Sequence, residues 1–202
     1  MDLSDITVLD FETSGLNPAR DRIIEIAAVR CHEGRIVSRF STLVRFDGPL
    51  PAKVTELTGL VAADLENGLD EETALRILNR FIGSNVIVAH NAAFDLGFLH
   101  HALMRHAGRS FSNRFLDTLT ICRDRQPYPH NLAEMCKRYG IDLSDAHRAL
   151  ADVEGCWELL RKLNEESSVA PYVNRLSYLP KYGPPAWYPP QAELQTATIR
   201  YA

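Results

Sequence analysis

Residues 86–89, Val-Ile-Val-Ala, are apolar without interruption. A strand with no polar residue on either face has to be covered on both, which demands a sheet between helical layers. The flanking sequence supplies that architecture. Residues 6–11, 22–31 and 35–44 are Ile- and Val-rich strand candidates, and Glu33-Gly34 joins the last two as a hairpin turn. Residues 52–57 and 60–65 read as short helical turns around Thr58-Gly59, and 71–82 as a longer amphipathic helix. After the apolar strand, Asn91 stands where it can cap a helix over 92–107. Residues 115–119 read as a fifth strand and 131–139 as a helix. A last helix covers about 148–164, where Leu150, Val153, Trp157 and Leu160 recur at helical spacing. Three antiparallel strands followed by alternating helices and strands predict an α/β fold, a mixed five-stranded sheet flanked by helices.

A chain of 202 residues with 46% hydrophobic content buries one full core and leaves an appendage rather than a second domain. The division falls between residues 1–166 and 167–202. In the later segment Pro171, Pro180, Pro184, Pro185, Pro189 and Pro190 forbid a long helix. Its five tyrosines and Trp187 make it too aromatic for a plain solvated linker. It should be extended, its rings anchored on its own fold, on the mate in a homodimer, or on a DNA polymerase or replication partner. No apolar run is long enough to span a bilayer, and the acidic start lacks the pattern of a signal peptide. The four cysteines show no Cys-x-x-Cys spacing and read as reduced thiols of a cytoplasmic protein. A net charge of −4 carries no basic surplus of the kind nucleic-acid binders show, but acids that ligate cations distort that count.

The acids are where chemistry concentrates. Asp10-Phe11-Glu12 closes the first strand, so both carboxylates share one sheet face. Buried acids must be paired, protonated or metal-bound, and no basic residue follows until Arg20. Asp64-Leu65-Glu66 and Asp70-Glu71-Glu72 repeat the pattern in polar helical or turn-like sequence, where a solvated face accounts for them. Asp95 lies in the first turn of the helix after the fourth strand, where an acid also complements the helix dipole. Asp152 lies near the start of the last helix, where it reads either as a solvated helix residue or, with Ala149, Ala151, Val153 and Cys156 flanking it, as a partly buried carboxylate.

Three segments taken in order carry a resemblance: Val8-Leu9-Asp10-Phe11-Glu12-Thr13-Ser14-Gly15-Leu16, then His90-Asn91-Ala92-Ala93-Phe94-Asp95, then His147-Arg148-Ala149-Leu150-Ala151-Asp152. Together they resemble the His subtype (DEDDh) of the DEDD 3′–5′ exonucleases, a family with a ribonuclease H-like fold. The resemblance implies that Asp10, Glu12, Asp95 and Asp152 bind two Mg²⁺ ions, with Mn²⁺ able to substitute. Two such ions bind the attacking and leaving oxygens of a phosphodiester, and Mg²⁺ prefers carboxylates. It makes His147 the general base, with an imidazole that titrates near neutrality. Five helical residues rotate roughly 140°, which puts His147 in the loop or first turn before the helix, with Ser144 or Asp145 near the cap. His90, also five residues before an Asp, is its rival, with substrate-side packing or a hydrogen bond at the strand end as its other reading. The resemblance further assigns the terminal nucleotide to Thr13 and Gly15, a base wedge to Leu57, and the groove lining to Asn91 and Phe94, although Leu57 and Phe94 also suit an ordinary core. The implied reaction releases nucleoside 5′-monophosphates from single-stranded or frayed DNA 3′ ends. RNA ends, or a role as a polymerase accessory subunit, are the alternatives.

Overall fold

The structure, a computed structural model, describes residues 1, 3–143 and 148–201. Strands β1 (Ile6–Thr13), β2 (Ile23–His32) and β3 (Arg35–Leu43) come first. Helices α1 (Ala52–Thr58), α2 (Ala62–Leu65) and α3 (Glu71–Ile82) follow, then β4 (Val86–Ala89), α4 (Ala92–Ala107) and β5 (Phe115–Asp117). Helices α5 (Thr118–Arg125), α6 (Leu132–Arg138) and α7 (Ala149–Glu166) complete the main fold. The five strands form one sheet in the order β3-β2-β1-β4-β5. β1–β2 and β2–β3 are antiparallel, and β1–β4 and β4–β5 are parallel, so the sheet is mixed as expected. Glu33 and Gly34 both have positive φ, 48° and 75°, the geometry of a two-residue hairpin turn, and they set the His32–Arg35 register.

Val86, Ile87, Val88 and Ala89 are all buried. On one face of the sheet Ile6, Val8, Ala27 and Val88 pack with Val153, Trp157 and Leu160 of α7. On the other, Leu9, Phe11, Ile26 and Ile87 pack with Leu75 and Leu78 of α3 and Leu96 and Leu99 of α4. Fully burying each aliphatic side chain of this kind contributes about 1.5–3 kcal/mol.

Three expectations need correction. The fifth strand ends at Asp117, and the chain turns at once into α5, a helix missing from the sequence reading. Asn91 does not cap α4: its φ is 71°, and its side chain makes no capping hydrogen bond. The cap comes from Asp117, whose Oδ1 accepts from Asn91 N (2.9 Å) and Ala92 N (3.1 Å). Nor is the C-terminal segment simply extended. It forms a 3₁₀ turn (Ala170–Tyr172) and a parallel pair, β6 (Arg175–Tyr178) and β7 (Glu193–Thr196).

That segment docks on its own fold. Asn174 takes a positive φ of 62°; its N donates to Phe115 O (2.8 Å) and its Oδ1 accepts from Phe115 N (3.0 Å), which pins the segment to β5. Arg125 donates to the carbonyls of Leu163, Ser167 and Ser168 and lies over the Tyr172 ring. Trp187 stacks on His100 of α4 with centroids 4.3 Å apart. Among the described residues, no helix is long and apolar enough to cross a membrane.

Candidate metal centre

β1 runs past the end of β4: the two strands pair only over residues 6–8 and 86–88. Beyond that point β4 diverges into α4 and opens a crevice at the carboxyl ends of the strands, the usual ligand position in such sheets. Asp10 and Glu12 stand in the part of β1 that pairs with β2 but no longer with β4, half-buried and on the face that α7 covers. Asp152, in the first turn of α7, meets them there. Carboxylate oxygens of Asp10, Glu12 and Asp152 lie within 4.8 Å of one another, close enough to hold a metal ion. Asp95 enters from the other side of β1: its Oδ1 accepts from Phe11 N at 3.1 Å, between the two β1 acids. Residues far apart in sequence thus converge because one strand outlasts its neighbour.

The electrostatics of this convergence are unfavourable without a cation. Burial and the Asp95, Glu12, Asp152 and Glu25 charges hold the Asp10 carboxyl well above the usual carboxylate range. Burial, then Asp152 and Glu25, push Glu12 up to about 7, against a smaller lowering by Arg148. Burial raises Asp95 as well, although the Phe11 N–H opposes it. Sequence reasoning missed Glu25. It sits directly across from Glu12 on β2, buried, and the Arg148 guanidinium approaches its Oε1 only to 3.5 Å. Among the described residues, its buried Oε2 has no hydrogen-bond partner. A lone carboxylate inside the apolar run Ile23–Val29 was the signal available for it. An orphaned carboxylate oxygen beside three clustered acids fits an oxygen-preferring divalent cation, and an all-carboxylate donor set suits Mg²⁺ or Mn²⁺ better than Zn²⁺.

The loop after β1 is braced rather than loose. Thr13 is buried and its Oγ1 donates to Gly15 O at 2.6 Å. Ser14 and Arg22 exchange hydrogen bonds, Ser14 N to Arg22 O and Arg22 N to Ser14 Oγ. A side chain at Gly15 would put its Cβ 2.3 Å from Asp21 Oδ2, the oxygen that accepts from Asn17 N. A larger residue there would displace the Asp21 carboxylate and break that hydrogen bond.

His90 is built into the scaffold. Its Nε2 meets the His130 carbonyl at 2.8 Å and must carry the proton, so Nδ1 accepts from Thr118 Oγ1 at 2.9 Å. Burial lowers its pKa and keeps the ring neutral. Both nitrogens are committed, which matches the reading of a hydrogen bond at the strand end. Leu57 is 49% exposed on α1, which removes it from the core. Phe94 is half-buried with its ring 4.9 Å from Phe98, and Asn91 is exposed at the head of α4. His147, Ser144 and Asp145 lie outside the described residues.

Comparison with known proteins follows the same lines. The exonuclease family RNase T matches residues 7–160. The DNA polymerase III PolC-type protein of Halalkalibacterium halodurans is 35% identical over 167 residues, which is 82% of this chain and 12% of that protein. Its Bacillus subtilis counterpart is 36% identical over 164 residues, 80% of this chain and 11% of that protein. The chain thus spans only a small part of these relatives. Among solved structures, exonuclease X in complex with 5′ overhanging duplex DNA superposes with a TM-score of 0.65 at 26% identity, covering 80% of this chain and 92% of that one. Escherichia coli exonuclease I bound to a dT13 oligonucleotide shares the fold at a TM-score of 0.72 and 19% identity, covering 80% of this chain and 41% of that one.

Proposed function

This chain belongs to the RNase T exonuclease family, and from that premise we propose that it removes nucleotides from the 3′ ends of single-stranded or frayed DNA, releasing nucleoside 5′-monophosphates. The observation that carries the proposal is the convergence of Asp10, Glu12 and Asp152 within 4.8 Å, with Asp95 held beside them. The similar solved exonucleases bound to DNA support DNA as the substrate.

Asp10, Glu12, Asp95 and Asp152 would hold two Mg²⁺ ions, or Mn²⁺ in their place. When bound, such a pair supplies charge for the attacking and leaving oxygens of an in-line displacement. The chain's own residues do the rest. Half-burial of the acids limits their screening by bulk water, which strengthens their attraction for the cations they would hold. His147 takes the proton from the attacking water, a role for which the neutral, doubly bonded His90 has no free nitrogen. The braced loop from Thr13 to Gly15 presents backbone to the terminal nucleotide, Leu57 stands exposed to wedge against its base, and Asn91 and Phe94 flank the preceding residue of the strand.

Digestion of 5′-labelled and 3′-labelled single strands tests this reading. With Mg²⁺ or Mn²⁺, a 5′ label should give a descending ladder and a 3′ label immediate mononucleotide, and EDTA should stop both. A ladder from the 3′ label, internal cuts, or indifference to EDTA would refute it. A matched RNA strand degraded faster than DNA would move the substrate to RNA.

A further inference from the structure

Two clefts adjoin along the C-terminal segment. The first, about 320 Å³, lies between Leu16 of the loop after β1, Phe94 of α4, and Trp187. The second, about 390 Å³, lies between Tyr128 and His130, which join α5 to α6, and Lys181. Asn91, Arg123, Leu179 and Tyr182 line both, so the clefts form one continuous groove. The clefts meet beside Asn91, at the head of the helix that carries Asp95 into the metal centre. The C-terminal segment therefore supplies one wall of a groove that passes the head of that helix.

The chemistry of that wall is specific. Tyr182 is 75% exposed and Tyr128, between α5 and α6, 50% exposed, although Tyr172, Leu176 and Leu179 of the C-terminal segment are buried. Lys181 Nζ lies 4.5 Å over the Tyr182 ring. The Arg123 guanidinium is fixed at the junction of the clefts by a 2.6 Å hydrogen bond from Nη1 to Ser177 O. Among the described residues, no Asp or Glu lines the second cleft, in a chain whose net charge is −4. In the first cleft the one acid is Asp117, buried and occupied by its capping hydrogen bonds. Exposed rings interleaved with cations and free of acids match a polyanion that carries flat bases.

We propose that the C-terminal segment builds a track for single-stranded DNA, which holds the strand upstream of the scissile end. Bases stack on Tyr182 and Tyr128, and phosphates lie at Lys181 and Arg123. The proposal rests on the exonuclease reading and extends it: the core binds the end, and the track binds the strand.

The test is fluorescence anisotropy of labelled dT12 and dT3 with the full chain in EDTA. The wild-type chain should bind dT12 much more tightly than dT3. Tyr182→Ala and Lys181→Glu should each weaken dT12 binding about fivefold or more, the least that loss of one stacked base or one phosphate contact implies. Tyr182→Phe, which keeps the ring, should retain the length preference, and Lys181→Glu should flatten the dependence on salt. Both positions are at the surface, and unchanged melting of the variants verifies their fold. Equal wild-type affinity for the two lengths, or a length preference that survives both substitutions, would overturn the track. Hydrolysis of the p-nitrophenyl ester of thymidine 5′-monophosphate by the wild-type chain with Mn²⁺ reports on the cleavage reading alone, because that ester is too short to reach the groove.

Discussion

Glu25 is the residue that most changes the account of the site. Its carboxylate adds a like charge beside Glu12 and Asp10 and has an oxygen with no partner among the described residues. Glu25→Gln should therefore raise the melting temperature of the metal-free chain at pH 8 while lowering its affinity for Mn²⁺. A lower melting temperature in EDTA would show that the Arg148 contact outweighs the repulsion. Glu12 gives the matching pH dependence. Its carboxyl rises on folding from 4.5 to about 7, so its contribution to metal-free stability is full below about 4.5 and lost as pH rises through about 7. Relative to wild type, Glu12→Gln should gain stability across that window in EDTA; a constant difference from pH 4 to 8 would contradict the shift. Asp10 and Glu12 were legible in sequence because period-two alternation puts them on one face. Glu25 was not, since nothing local says that β2 lies antiparallel to β1 in a register that sets Glu25 opposite Glu12.

At the scale of elements, the strands and longer helices were readable because burial imposes a period on them. Helix α5 has no such period. Thr118, Leu119, Thr120, Ile121 and Cys122 are all buried, so no polar stripe marks a helix, and Thr118 and Leu119 read as the end of the strand. What makes the helix is Asp117. Besides its two bonds to the head of α4, it accepts from Leu119 N, Thr120 N and Thr120 Oγ1, and so starts α5 and α4 together. Asp117→Ala leaves several buried donors unsatisfied and should cost at least about 3 kcal/mol in denaturant unfolding. It should also impair cleavage, because α4 carries Asp95. A loss under about 1 kcal/mol would mean that other groups replace the cap.

For the whole molecule, the C-terminal segment is part of the fold. Tyr172, Leu176 and Leu179 are buried, and Leu176 packs among the residues of the α4 face. Its docking was only partly legible: prolines and aromatics exclude a helix and a free linker, but the β6–β7 pairing joins residues about twenty positions apart and depends on the surface beneath. A chain ending at Glu166 should melt several degrees lower, with about 2–4 °C lost per kcal/mol in a domain of this size. Unchanged melting would mean that the segment contributes nothing to stability.

All of this organises a site whose claimed work is metal-dependent cleavage, and Asp10 is at its centre, touched by the charges of Asp95, Glu12, Asp152 and Glu25. The direct measurement is single-turnover release of mononucleotide from a 3′-labelled strand by purified, folded Asp10→Asn at saturating Mg²⁺. The account predicts a rate lower than wild type by orders of magnitude, with the circular-dichroism spectrum of the folded wild-type chain retained. A rate within a few-fold of wild type would contradict the assignment of these carboxylates to the reaction.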